Sequence, residues 1–121
     1  MERVSISDLK PITNESQTSF LYEIVGLTGA IEYSQISIAK TVLIPGAVVS
    51  KHYHKLSEEV YFFTAGEGTM VIDQQSFIVK DGDLVFISPN ECHELNVKGD
   101  DDLEFIAITI PAYTPEDYFA V

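Results

Sequence analysis

Between positions 65 and 102 the chain meets a turn signal at almost every opportunity. Ala65-Gly66-Glu67-Gly68, Asp73-Gln74-Gln75, Lys80-Asp81-Gly82-Asp83, Ser88-Pro89-Asn90 and Lys98-Gly99-Asp100-Asp101-Asp102 all favour tight or left-handed backbone. The segments beside them are EVYFFTA, GTMVID, QSFIVK, DLVFIS, HELNV and LEFIAITI. Each is too short for a stable helix and rich in β-branched and aromatic residues. Short strands at a spacing of roughly 8–12 residues predict an all-β sandwich or barrel. No stretch sustains a helical apolar period.

The flanks extend this pattern. FLYEIVGL (20–27) predicts a strand closed by Thr28-Gly29. IEYSQISIAKTVLI (31–44) predicts another, with Ile36, Ile38, Val42 and Ile44 on one parity, ended by Pro45-Gly46. Residues 1–19 are polar, with Pro11 and the run TNESQTS, and predict an arm. At the other end the chain is expected to leave the sheet at Pro111. Thr114 and Pro115 stand where the cap and first residue of a short helix belong. One domain over residues 1–121 is expected, with its barrel core at about 31–112.

Charge excludes some partners. Seven Lys and Arg against nineteen Asp and Glu leave a net charge of −12, which repels phosphate backbones and anionic lipid surfaces. The single cysteine, Cys92, rules out an internal disulfide. No 18-residue apolar run is present. The start MERVSISDLKPI lacks the basic and apolar regions of a secretory leader, so the expected compartment is the cytoplasm.

The chain has three histidines, and two lie one residue apart in HYHKLSEE. Residues i and i+2 of a strand share a face, which places His52 and His54 side by side, about 6–7 Å apart along the strand. Glu59 opens the next strand, and His93 begins another after SPNEC. Imidazole and carboxylate together suit one divalent first-row ion: Fe, Mn, Co, Ni or Zn. Glu58 has the opposite parity from Glu59 and should point away; a loop shifted by one residue would exchange them.

This stretch resembles the first cupin motif, G-x5-H-x-H-x(3,4)-E-x6-G, through Gly46, His52, His54, Glu59 and Gly66. GDLVFISPNECHELN resembles the second, G-x5-P-x-G-x2-H-x3-N, through Gly82, Pro89 and His93. In that second motif Ser88 replaces the first proline, Asn90 replaces the glycine, and Asn96 falls one place short of the final Asn. The resemblance implies a jelly-roll β-barrel with one metal ion per chain, held by His52, His54, Glu59 and His93. It also makes a homodimer common. LEFIAITI agrees, because it is apolar on both parities and needs a second layer or a partner chain.

Four protein ligands leave coordination positions open, which allows isomerase, cyclase, lyase, decarboxylase or oxygenase chemistry. Parity places Tyr61 and Phe63 on the metal side. Tyr61 is a candidate general acid or base, and equally a barrel-filling side chain. Tyr22, Glu23, Tyr33, Gln35 and Ser37 are candidates for the cavity wall. Bidentate arginine is the usual clamp for phosphate and carboxylate, yet Arg3 is the only arginine. A small, neutral or weakly anionic organic substrate is therefore expected. The expected chemistry is isomerase, cyclase or lyase through an enolate-like intermediate, with a dioxygenase or a non-catalytic ligand-binding barrel as alternatives.

Overall fold

The computed structural model describes all 121 residues. Its strands are β1 (Ile12–Thr13), β2 (Ser19–Gly26), β3 (Ile31–Glu32), β4 (Ser37–Leu43), β5 (Val48–Tyr53) and β6 (Glu58–Ala65). They continue as β7 (Glu67–Ile72), β8 (Gln75–Lys80), β9 (Leu84–Ile87), β10 (His93–Lys98), β11 (Leu103–Ile110) and β12 (Phe119–Ala120). Two 3-10 turns, Ile6–Asp8 and Pro115–Asp117, are the only helical elements. No helix is long and apolar enough to cross a membrane.

The strands form two sheets that face each other as a jelly roll. The larger runs β1-β2-β4-β11-β6-β9, with β3 parallel to β2. The smaller runs β12-β5-β10-β7-β8. Period-two alternation decides which side chains meet between them. Along β6, Glu59, Tyr61 and Phe63 are buried while Glu58, Phe62 and Thr64 are exposed. Leu43, Phe63, Leu103 and Phe105 of the larger sheet pack in one cluster with Met70, Val79 and Leu95 of the smaller. Burying each of these larger side chains stabilises the fold by about 1.5–3 kcal/mol relative to exposure.

The 31–44 segment departs from its expected form. It is two strands: β3 pairs with β2, and an exposed stretch around Tyr33–Gln35 separates it from β4. The polar run Tyr33-Ser34-Gln35 makes connections instead of a ladder. The Tyr33 N–H donates to the Gly26 carbonyl and the Ser34 carbonyl accepts from the Ala112 N–H. The face turned inward is also the less apolar one. Ser37, Ala39, Thr41 and Leu43 stand opposite Thr109, Ala107, Phe105 and Leu103 of β11. Small residues there leave room for a cavity. Val42, Ile106 and Ile108 take the opposite parity, while Ile38, beside the register shift between β2 and β4, also reaches the cavity wall.

The tail after Pro111 rejoins the fold. It forms a single 3-10 turn, in which Thr114 holds the cap position without a side-chain capping bond. It then pairs as β12 with β5, Phe119 opposite Tyr53 and Ala120 opposite His52. The arm is partly integrated too, since β1 pairs with β2 at the sheet edge.

Gly66, Gly82 and Asn90 all have positive φ, as the turn signals require. At Gly66 there is a second constraint: a Cβ would overlap the Asp102 carbonyl and crowd Leu103. At Gly82 a Cβ would meet nothing within 4 Å. Gly66→Ala should therefore lower unfolding stability by about 2–4 kcal/mol, against about 1–2 kcal/mol for Gly82→Ala, which pays only for backbone strain. Urea unfolding midpoints check this, and equal losses would contradict the close approach at Gly66.

Candidate metal centre

Register brings the first two imidazoles together. His52 of β5 stands opposite His93 of β10 in the smaller sheet, with ring centroids 4.2 Å apart. His54 lies just past the end of β5, on the same parity as His52. Glu59 reaches in from β6 of the facing sheet. All four side chains are buried, and their ligand atoms lie within 4.8 Å of one another. Glu58 points out to solvent, as parity requires.

Each imidazole is oriented by a backbone carbonyl. His52 Nδ1 lies 2.7 Å from the Ser50 carbonyl, His54 Nδ1 2.7 Å from that of Asp117, and His93 Nδ1 2.9 Å from that of Glu91. An Nδ1–H that donates to a carbonyl leaves Nε2 as the lone pair. Glu59 Oε1 lies 3.0 Å from His54 Nε2 and 3.1 Å from His93 Nε2. Yet those three atoms are buried without a hydrogen bond of acceptable angle. Polar atoms that converge but do not satisfy one another fit a donor set for one divalent ion. The second Glu59 oxygen accepts a long bond from the Thr109 hydroxyl at 3.4 Å.

The electrostatics of the metal-free site follow from burial and closeness. Burial pulls the His52 pKa down to about 4, against the Ser50 hydrogen bond and with help from the other two imidazoles. Burial alone would raise Glu59, but the His54 and His93 imidazoles outweigh it and hold its carboxyl at about 2. Burial would likewise lower His54, yet the Glu59 carboxylate beside it raises its pKa. Tyr61 is pushed well above the ordinary phenol range by burial, then by the Glu59 charge, so its proton stays on at neutral pH.

A cavity of about 280 Å³ opens beside this cluster. His52, His54 and Glu59 line it, together with Tyr61, Phe105 and small apolar residues of β4 and β11. No lysine or arginine lines it, and Glu23 places a second carboxylate on its wall. Of the wall candidates, Glu23 and Ser37 face the cavity. Tyr22 lies outside, in register with Lys40, while Tyr33 donates to Gln35 on the exposed surface. Phe63 belongs to the core.

Three residues at the site were not anticipated, and all come from the tail. Tyr118 stacks on His52, with centroids 4.7 Å apart and planes 20° apart. Tyr113 meets His54 edge-on at 6.1 Å. Asp117 supplies the carbonyl that holds His54. The sequence offers one faint signal for them, a cluster of acids and aromatics after Pro111 that a solvated tail does not need.

The family model described as "Cupin domain" matches residues 39–109. The chain belongs to the cupin family. Its alignments span 65% and 60% of the length of two curated relatives it matches. One of these, an oxalate-binding protein of Thermotoga maritima, is 35% identical over 72 residues, or 60% of this chain. Among solved structures, a predicted oxalate decarboxylase of Thermotoga maritima superposes with a TM-score of 0.80 at 25% identity, covering 91% of this chain and 99% of that one. The polyketide cyclase RemF of Streptomyces resistomycificus superposes with a TM-score of 0.82 at 16% identity, covering all of this chain and 85% of that one. The last similarity is one of fold alone.

A pH profile of the metal-free protein tests the electrostatics. A His52 pKa lowered from 6.5 to about 4 means that the unfolded chain binds this proton more readily. Its contribution to stability is full above pH 6.5 and is lost as pH falls towards 4. His54 acts in another window: its raised pKa stabilises fully below 6.5 and is lost above that. Glu59 is lost only from pH 4.5 down through about 2. Melts in chelator should show stability falling from pH 6.5 to 4.5, and His52→Gln should flatten that slope. An identical slope in the variant would refute the assignment.

Proposed function

We propose that this cupin is a metal-dependent enzyme, one domain over residues 1–121, acting on a small neutral or weakly anionic organic molecule. We further propose isomerase, cyclase or lyase chemistry. The observation that carries this reading is the set of three imidazoles whose Nδ1 atoms face backbone carbonyls and whose Nε2 atoms converge with Glu59 beside a cavity. In the proposal His52, His54, Glu59 and His93 hold one divalent ion. Once bound, that ion supplies Lewis acidity to a substrate oxygen.

The chain's own residues do the rest. The apolar wall around Phe105 excludes water and orients the carbon skeleton. Tyr61 keeps its proton through neutral pH and can donate a hydrogen bond or a proton to substrate. Several of the proteins it resembles carry oxalate in their names, but a dianion is a poor match for this cavity. No lysine or arginine lines it, and two carboxylates, Glu23 and Glu59, already do.

Elemental analysis of untagged protein purified without chelator tests the core of this reading. About one divalent ion per chain is expected in the wild type, and less than a tenth of that in His54→Ala, since an open site cannot close on three donors as tightly. The loaded protein should convert a hydroxyketone or enol panel without consuming oxygen and leave oxalate untouched. Oxygen uptake would point to a dioxygenase, and substrates recovered unchanged to a ligand-binding barrel. A wild type that takes up no ion from several reconstitutions would end the metalloenzyme reading.

We also propose a homodimer formed through the outer face of the larger sheet. Leu84, Phe86 and Phe62 are 61%, 52% and 43% exposed there. Cross-strand register puts Phe62 beside Leu84 and Ile106, and Val60 beside Phe86 and Ile108. This contiguous apolar surface reaches the edge strand β9, which natural sheets usually cover. A second copy presenting the same face covers both edges at once. Light scattering should find a dimer for the wild type and a monomer for Phe62→Lys/Phe86→Lys; a monomeric wild type refutes it.

A further inference from the structure

The tail after Pro111 carries a buried carboxylate that lies outside the four-residue donor set. Asp117 is 6% exposed. Its Oδ1 accepts the Lys55 N–H at 2.8 Å and the Leu56 N–H at 3.0 Å. Its Oδ2 accepts the Ser57 N–H at 3.1 Å and the Ser57 hydroxyl at 3.0 Å. Its own carbonyl accepts from His54 Nδ1 at 2.7 Å. One residue therefore touches every position from His54 to Ser57, the turn that joins one proposed ligand to the next.

The other anchors differ. His52 and His93 turn to carbonyls only two residues upstream, so their Nδ1 partners are local. His54 lies beyond the β5 ladder, and its backbone carbonyl accepts from the Asn90 N–H at 2.7 Å. Its ring makes one hydrogen bond, to the Asp117 carbonyl, with Glu59 and Tyr113 among its other neighbours. The tail is itself pinned on the far side of Asp117. Tyr118 stacks on His52, β12 pairs with β5, and the Val121 N–H donates to the Lys51 carbonyl at 3.2 Å.

We infer that Asp117 is a positioning residue of the metal centre: its carboxylate sets the 55–57 turn and its carbonyl sets the His54 ring. Ion affinity thereby depends on the C-terminal tail. This rests on the metal-binding reading above. A buried carboxylate satisfied by three N–H groups and a hydroxyl is strongly held, and losing it frees the turn that spaces His54 from Glu59. Partners that orient a ligand typically contribute 10–100-fold to metal affinity.

The test is Zn²⁺ titration against a competing chelator for wild type, Asp117→Ala and Asp117→Asn, with thermal melts of each in the metal-free state. Gly82→Ala, in the turn between β8 and β9 and outside the donor set, serves as a variant that weakens only the fold. Asp117→Ala should bind Zn²⁺ about 10–100-fold more weakly than wild type. Asp117→Asn keeps one acceptor oxygen and should fall between them. Gly82→Ala should lose melting temperature and keep wild-type affinity. If Asp117→Ala does not fold, the Asn variant carries the test, and wild-type affinity in it overturns the inference. Affinity that follows melting temperature across all variants, Gly82→Ala included, overturns it as well. A wild type that does not bind Zn²⁺ or any other divalent ion refutes the metal-binding reading instead, which separates the two failures.

Discussion

Each of the three imidazoles sets Nδ1 against a backbone carbonyl, which leaves Nε2 free for the cluster with Glu59, and the site depends on that arrangement before any other. A free imidazole chooses its tautomer and its rotamer. An imidazole tied at Nδ1 has neither choice, so the lone pair at Nε2 is aimed in advance. Two of the ties are supplied by the strands themselves, at Ser50 and Glu91, and antiparallel register sets His52 beside His93. The third spans 63 residues and exists only when the tail has folded back.

The donor set also joins the two layers. The histidines belong to the smaller sheet and its edge, while Glu59 belongs to the larger. In the metal-free protein this arrangement is costly. A carboxylate is buried where no hydrogen bond of good angle reaches Oε1, and two imidazole nitrogens beside it have none either. The cost is offset by packing and hydrogen bonding nearby: Phe63, Leu95 and Phe105 belong to one buried cluster, and Asp117 holds the turn beside the site. Binding an ion would relieve the unsatisfied atoms and tie sheet to sheet, which couples metal affinity to folding stability.

Side-chain parity made much of this legible. An i, i+2 histidine pair in a strand can only share a face, and the same rule chose Glu59 over Glu58. The turn signals located the strand boundaries from β6 to β11, and Asn90 takes the left-handed backbone expected where a glycine was missing. What parity cannot show is which face is inside when both are apolar. In β4 the interior takes Ser37, Ala39 and Thr41, because the space opposite is cavity and not core. Nor can a sequence display carbonyl acceptors, which every residue carries alike. Asp117 went unread for that reason. Its contacts lie some sixty residues away, and Pro111 gave a local signal for departure that tertiary pairing of β12 overrode.

Charge then limits what can enter the cavity. In the proposed site, a divalent ion held by the Glu59 carboxylate and three neutral imidazoles would leave a single net positive charge. Glu23, which accepts a hydrogen bond from Thr28, sets a second carboxylate against that charge on the wall. No lysine or arginine side chain offsets it there. A ligand that develops one negative charge next to such an ion would be stabilised, whereas a dianion would bring a charge that no lysine or arginine of the cavity wall neutralises. Enzymes work by favouring charge that appears during reaction over charge already present in the substrate. Under the proposed reading, such a cavity would suit a neutral molecule that becomes anionic at one oxygen, with the protonated Tyr61 phenol proposed as a hydrogen-bond donor for it.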